Sequence, residues 1–531
     1  MITTVLMLLV AFQDATTYKV QIKNVNVSFE VTLEPFIPTP DPLPIPDPVP
    51  NPDPDPDPVP PAETGWTVLE PSADSRQIFV SSSSGDDMND GLTEATPKRT
   101  VAAGLKLLRN QQPDWLRLKA GDVFLPEGDW RIETTGGPAA DKKTVITSYG
   151  EGARPVLKNG RMWYGSSTKP LTHFAMVGLD FYASYRDPDS PDYQQGSAGA
   201  MAAQFLVSDA AATGSDDWLF ENNRFRYYVS NVQINGSLTS AIPTTLKNVT
   251  FRRNVVIDAE EFGLQLYNTT NGIIEENVFE RNGWKNRTVQ LHNVYVSTAA
   301  NLRVTNNIFS RGGNMSIKIS GNKKSSITDF VIENNVFYRG MVGFGHGSID
   351  GSWNTQTEYS HERGVVRNNV TMKTAKNIPV SIPTAFQSIG FNVGNLNDVL
   401  FESNIFAHND EIKSGGQVFF FADPSVERSN NLTLRNNVVW NWLSTQFDQT
   451  GSYMYNANFV GNLVEQNNLP IDATYSGPSR TLGKYNVTLG GTDSDDAFLT
   501  RACELQKGNW DTRYTADEFN KYMRAGFGLT P

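Results

Sequence analysis

The stretch Val304-Thr-Asn-Asn307-Ile-Phe, met again one repeat later as Ile332-Glu-Asn-Asn335-Val-Phe, decides how this chain folds. It reads apolar, two polar residues, Asn, then two apolar residues. Outward from it the phrase recurs with its Asn at 223, 254 and 277 on one side and at 369, 404, 437 and 462 on the other. Successive asparagines are separated by 31, 23, 30, 28, 34, 35, 33 and 25 residues. A period of this size with irregular insertions marks a solenoid. Each phrase is short, rich in β-branched and aromatic residues and closed by a turn, so the unit is built of strands. Coils stacked about 4.8 Å apart would bring the asparagines into one buried ladder, each amide hydrogen-bonded to the next. Phe220, Phe251, Ile274, Val304, Ile332, Val366, Phe401 and Leu434 would fill one interior column. Phe225, Val256, Phe279, Phe309, Phe337, Phe406 and Val439 would fill another. The fold class expected is therefore all-β: a single-stranded parallel β-helix with short helical caps.

The rest of the chain bounds that reading. Of 531 residues 39% are apolar and 11% aromatic, enough for a large core. A net charge of −12 is the wrong sign for a dedicated nucleic-acid binder. One cysteine, Cys503, allows no internal disulfide, and five scattered histidines do not suggest a His-rich metal site. The longest apolar run, Val5 to Phe12, is too short to span a bilayer. It reads either as the core of a secretory signal or as a buried strand continued by the alternating Tyr18–Ile22 and Val25–Val31, so residues 1–34 form a signal or an anchoring strand module. Residues 35–62 carry 14 of the 30 prolines between 35 and 61, alternating with Asp. Such a segment can join neither helix nor sheet and reaches to about 80 Å as an extended stalk. Residues 63–495 are assigned to the β-helix and 496–531 to a C-terminal helical cap. The cap rests on the capping box Thr515-Ala-Asp-Glu518, with Phe519, Tyr522 and Met523 at helical spacing and Gly526 as the stop.

With the repeat and the opening Ile78-Phe-Val-Ser-Ser-Ser-Ser-Gly-Asp-Asp87 through Pro97 together, the chain resembles the pectate-lyase-like right-handed parallel β-helix superfamily over roughly residues 76–490. That group includes polysaccharide lyases, polygalacturonase-type hydrolases, epimerases and phage tailspikes. The resemblance implies a short helix, here about Val101–Arg109, plugging the first coil. It specifies the fold far better than the chemistry, because this fold carries many activities.

Reading columns along the Asn ladder gives the candidate residues. Two residues before the Asn, Glu221, Arg252, Glu275, Thr305, Glu333, Arg367, Glu402 and Arg435 suit an exposed face of alternating ion pairs. Four residues after it stand Asp258, Arg281, Arg311, Arg339, Lys373 and His408. In a chain of net −12 this basic stripe is either a set of paired turn residues or the contact surface for an acidic polysaccharide. A further strand in each coil turns the polar centre of an apolar triplet outward, giving Gln265, Tyr295 and Lys318 in neighbouring coils. Neutralisation of a uronate by Lys or Arg, with proton abstraction by Lys, Tyr or His, is the chemistry of β-elimination. Lys318, Tyr295, His292 and Asp258 are the catalytic candidates, and Gln265, Arg281, Arg311, Arg339, Lys373 and His408 the substrate-binding ones. His346 also lies near in the stack. Hydrolysis would need a carboxylate pair, and Asp258, Glu260, Glu261, Asp350, Glu358 and Glu362 offer several without singling one out. Trp284, Trp353, Tyr359, Trp440 and Trp442 could stack on sugars. No cofactor motif occurs, and Ca²⁺ at Asp86–Asp90 is the one ion left open.

Two classes of function follow. One is an extracellular enzyme that binds and depolymerises an acidic polysaccharide, with β-elimination favoured over hydrolysis. The other is a non-catalytic recognition or structural protein, such as a tailspike or adhesin on a virion or cell surface. In that case the N-terminus would attach to the virion and the chain could form a homotrimer.

Overall fold

The computed structural model describes residues 18–20, 29–31, 65–196, 201–207, 214–236, 246–284, 292–313, 315–320, 327–345, 360–372, 390–408, 418–421, 429–440, 454–455, 458–460, 462–465 and 476–530. The chain divides into two compact units, residues 1–57 and 58–531. In the first, Tyr18–Val20 pairs antiparallel with Phe29–Val31. The proposed signal (residues 1–15) and the stalk (35–62) lie outside the described residues.

The second unit stacks coils of three strands. Ladder A continues through strands such as Asp216–Glu221, Leu246–Arg252, Ile273–Glu275, Arg303–Thr305, Ile327–Glu333 and His361–Arg367. Ladder B is a 12-stranded sheet of short strands such as Val278–Glu280, Ile308–Ser310 and Val336–Tyr338. Ladder C includes Met162–Ser166, Phe262–Thr270, His292–Ala300 and Met315–Ser320. Strand pairs within each ladder are parallel, each coil pairing with the next.

The asparagine ladder forms as the repeat requires. The Asn335 backbone N–H donates to Asn369 Oδ1 at 3.0 Å, and Asn335 Nδ2 donates to the same oxygen at 3.0 Å and to the Val304 carbonyl at 2.8 Å. The same triplet of bonds repeats from Asn223 to Asn437, so each amide of this ladder is satisfied by its neighbouring coils. The residue before each ladder Asn from 223 to 437 turns left-handed, as at Asn306 (φ 58°) and Asn334 (φ 55°). Both predicted interior columns are buried, and Phe279, Phe309 and Phe337 stack with centroids 5.1 and 5.2 Å apart.

A second row of amides, which the sequence reading did not pick out, runs along the C-to-A corner. Asn271 Nδ2 donates to Asn248 Oδ1 at 2.8 Å, and Asn301 Nδ2 to Asn271 Oδ1 at 2.9 Å, all three residues being left-handed. Asn and Asp tolerate that conformation because their short side chains bond locally.

Helix α1 (Val101–Leu105) is shorter than the segment expected, and it buries Val101 and Leu105 in the main core at the first coils. Thr100 caps it, and Asp87 is engaged by the Thr100 hydroxyl at 2.8 Å and the Arg99 and Thr100 backbone N–H groups at 2.8 and 2.9 Å. Asp90 accepts from Leu92 N at 3.1 Å and Thr96 Oγ1 at 2.7 Å. The carboxylates considered for Ca²⁺ thus hold the turn itself.

The C-terminal helices are α2 (Leu482–Thr488), α3 (Asp495–Ala502) and α4 (Ala516–Gly526). They lie along the side of the stack, where the sequence suggested its far end. Phe498, Leu499, Phe519, Met523 and Phe527 bury against Val255, Ile257, Ile308, Val336, Tyr338 and Met372, outward residues of ladder B. The physical reason is the composition of those short strands from Val255–Ile257 to Val438–Trp440, in which the middle residue faces the core and the residue before it, turned outward, is always apolar. An apolar outer face needs a cover. Nearby, Thr67 N donates to Glu221 at 3.2 Å, and Trp66 packs edge-on against Trp510 at 5.2 Å.

Candidate functional site on the outer face of ladder C

The basic column after the Asn ladder is the first candidate the structure corrects. Asp258, Arg281, Arg311, Arg339 and His408 are all left-handed, with φ between 49° and 58°. They form the corner between ladders B and C. Arg281 clasps Asp258 through two bonds of 2.8 and 3.0 Å, which removes Asp258 as a free base. Arg311 pairs with Glu280 and, at 2.7 Å, with Asp496 on α3. The Arg339 guanidinium lies 5.2 Å from the Tyr338 ring centroid, and buried His408 meets Trp440 edge-on at 5.0 Å. Arg281 and Arg311 thus meet acids of the preceding coil, and Arg311 also meets one brought by α3 from 185 residues along the chain. Lys373, His346, Trp353, Tyr359, Trp442, Asp350 and Glu358 lie outside the described residues.

The acidic candidates fare alike. Glu260 is buried against Arg186, and Glu362 pairs with Arg363 at 3.7 Å. Trp284 is exposed and donates its indole N–H to the Asp258 carbonyl at 3.1 Å. On ladder A the alternating column pairs as expected, Arg367 with Glu333 at 2.7 Å and Arg435 with Glu402 at 2.8 Å. Its upstream half departs from the exposed face expected: Glu221, Arg252 and Glu275 are buried. The Arg252 guanidinium donates to the Gly65 carbonyl at 3.0 Å, so the chain entering the solenoid covers it.

Ladder C differs. Its outward centre line runs in register Arg131, Trp163, Gln204, Gln233, Gln265, Tyr295, Lys318, Gly343. The sequence-predicted triplet Gln265, Tyr295 and Lys318 is thus brought together in successive coils. None of the described strands of this ladder, from Trp130–Arg131 through Phe391–Val393 to Phe419–Phe421, contains an Asp or Glu.

Around Tyr295 the groups are crowded and poorly partnered. The Lys318 ammonium sits 5.2 Å from the Tyr295 ring centroid. The His292 ring meets Tyr295 edge-on at 5.7 Å, and Phe262 stacks on Tyr295 at 5.9 Å. Tyr267 packs edge-on against Tyr295 at 5.1 Å and accepts from Gln265 Nε2 at 3.2 Å. Both ring nitrogens of His292, Gln265 Oε1 and both amide atoms of Asn235 are buried without a partner among the described residues. Orphaned polar atoms of this kind are rare in folded chains, and each calls for a partner. Asn235 lies in the coil next to Tyr267, at its register position.

The electrostatics follow from burial. Burial, reinforced by the Lys318 charge, holds the His292 imidazole well below its usual range, so it is neutral. Burial lowers the Lys318 ammonium. Burial raises the Tyr295 phenol, with Ser320 and Ser297 hydroxyls opposing, so it stays protonated. One neutral acceptor, one protonated donor and one uncompensated cation therefore share a few ångströms of surface.

A family comparison accords with the fold and leaves the chemistry open. Residues 208–359 match the family model described as "Right handed beta helix region". No curated protein matches the sequence. Among solved structures, the chain is similar to the GH136 lacto-N-biosidase from Eubacterium ramulus, with 12% identity, a TM-score of 0.44, and 73% of this chain and 68% of that one covered. It is similar to the Dettilon tailspike protein (gp208), with 12% identity, a TM-score of 0.47, and 74% and 68% covered. It is also similar to the alginate lyase from Paenibacillus sp. str. FPU-7, with 12% identity, a TM-score of 0.33, and 74% and 97% covered. Among the described residues no helix is long and apolar enough to cross a membrane.

Proposed function

We propose that this protein binds an acidic polysaccharide along the outer face of ladder C and cleaves it by β-elimination at Tyr295, His292 and Lys318. The observation that carries the reading is the absence of any Asp or Glu from the described ladder C strands in a chain of net −12, with Lys318 on that same line. An anionic chain meets no like charge there, and one ammonium awaits it.

The roles follow from the surroundings. A uronate carboxylate beside Lys318 would restore the ammonium that burial disfavours and would make the C5 proton of the sugar more acidic. His292, held neutral, is the acceptor for that proton. Its ring is 1% exposed and lies against the Tyr295 edge, so the Tyr295 ring must shift to admit the sugar. Tyr295, held protonated, donates to the departing glycosidic oxygen. The Gln265 and Asn235 amides supply hydrogen bonds to sugar hydroxyls. Hydrolysis is the weaker reading because it needs two carboxyl groups flanking the bond, and the described strands of this face supply none.

The test is a panel of uronate polysaccharides followed by ultraviolet absorbance, since elimination leaves a conjugated double bond at the new chain end. A rise lost in Lys318→Ala and Tyr295→Phe supports the assignment. New reducing ends without a rise would replace elimination by hydrolysis. Retained, salt-sensitive binding with neither product would leave a recognition surface.

A further inference from the structure

The outward line of ladder C does not end at the Tyr295 cluster. Six register steps before Lys318 it reaches Arg131, which at one coil per step places the two residues about 29 Å apart. Arg131 is exposed, and it makes no ion pair with a described residue. Its guanidinium is held over the Trp163 ring, 4.5 Å from the centroid. The indole in turn lies flat along its own strand over Gly165: a Cβ there would come within 2.6 Å of the ring. Its neighbour Arg161 lies 5.5 Å from the same centroid but is committed, with Nε on Asp129 at 3.1 Å and Nη1 on Gln204 Oε1 at 2.9 Å. Gln204 Nε2 donates to Gln233 at 2.7 Å, which continues a line of amides toward Gln265. Stacking fixes Arg131 without neutralising it, unlike Arg281 and Arg311, whose charges are spent on neighbouring acids.

We propose that Arg131, braced on Trp163, is a second anion-binding subsite for the same polysaccharide, about 29 Å along the stack from Lys318. The inference rests on the reading of ladder C as the polysaccharide face. The chain would lie parallel to the solenoid axis, its carboxylates meeting a fixed cation at each end and its hydroxyls meeting glutamine amides between. A trisaccharide held at Lys318 would not reach Arg131, whereas an octasaccharide would.

The experiment measures affinity of the full protein for a trisaccharide and an octasaccharide prepared from whichever uronate polymer it binds, with Arg131→Ala and Lys318→Ala alongside. The expected result is tighter octasaccharide binding by wild type, with about a tenfold loss in Arg131→Ala, the size of one charge-assisted contact. Trisaccharide affinity should be unaffected by Arg131→Ala and lost in Lys318→Ala. Equal affinities for the two lengths, or an octasaccharide affinity indifferent to Arg131, would overturn this inference while leaving the proposed site standing. Failure of the wild type to bind any uronate oligomer would overturn both.

Discussion

Ladders B and C are two sides of one stack, built from the same coils, yet their outer faces have opposite fates. Ladder B turns apolar residues outward and is sealed by α3 and α4. The charges at its edge are neutralised within the chain, Arg281 by Asp258 and Arg311 by Glu280 and Asp496. Ladder C turns amides, Tyr295 and Lys318 outward and leaves His292, Gln265 and Asn235 with unsatisfied atoms. A row of cations is therefore no mark of a binding surface by itself. What marks one is a charge that no acid of the fold has neutralised.

The largest effect that separates the faces concerns stability. Phe519→Ala removes a fully buried ring from the seal over ladder B and should cost about 3–5 kcal/mol in denaturant unfolding. Lys318→Ala removes a cation that burial already disfavours, so it should change stability by less than about 1 kcal/mol in either direction. Equal losses would mean that ladder C is a structural face too. Next comes binding. Lys318→Ala should weaken uronate binding by about a hundredfold, since the carboxylate loses its counter-charge. Arg281→Ala should leave that affinity alone and cost only about 1 kcal/mol of stability, its half-exposed guanidinium being screened by solvent. A uronate affinity that falls in Arg281→Ala would return the basic corner column to the binding surface.

How much of this was legible in the sequence depends on whether the signal was local. The Asn ladder and both core columns could be read from six residues because each coil repeats the demand for a satisfied amide and a buried side chain. The Gln265, Tyr295 and Lys318 line was equally readable, since alternation alone settles which residue points out. The outer amide row was readable and missed: Asn248, Asn271 and Asn301 each stand three residues before the first apolar position of the phrase. The fate of the basic column was not local. Arg311 meets Asp496, 185 residues away, and only the docking of α3 brings them together. The burial of Glu221 and Arg252 likewise depends on a strand-free segment near Trp66 that carries no repeat.

The smallest effect is the dependence of binding on pH, and it tests whether Lys318 is the cation on the sensitive face. Burial lowers its pKa below the ordinary lysine value of 10.5, so the free protein releases this proton earlier than an exposed lysine would. A bound carboxylate favours the ammonium and raises that pKa again. Binding therefore takes up a proton once the pH exceeds the free-protein value, and affinity declines as pH rises from there towards 10.5. Titrating uronate affinity against pH should show this decline setting in below 10.5, and Lys318→Arg, whose guanidinium stays charged, should flatten it. His292 adds no step near its usual value of 6.5, because its neutral form persists well below that pH. A decline centred at 6.5 and unaltered in Lys318→Arg would assign the counter-charge to a histidine and remove Lys318 from the site.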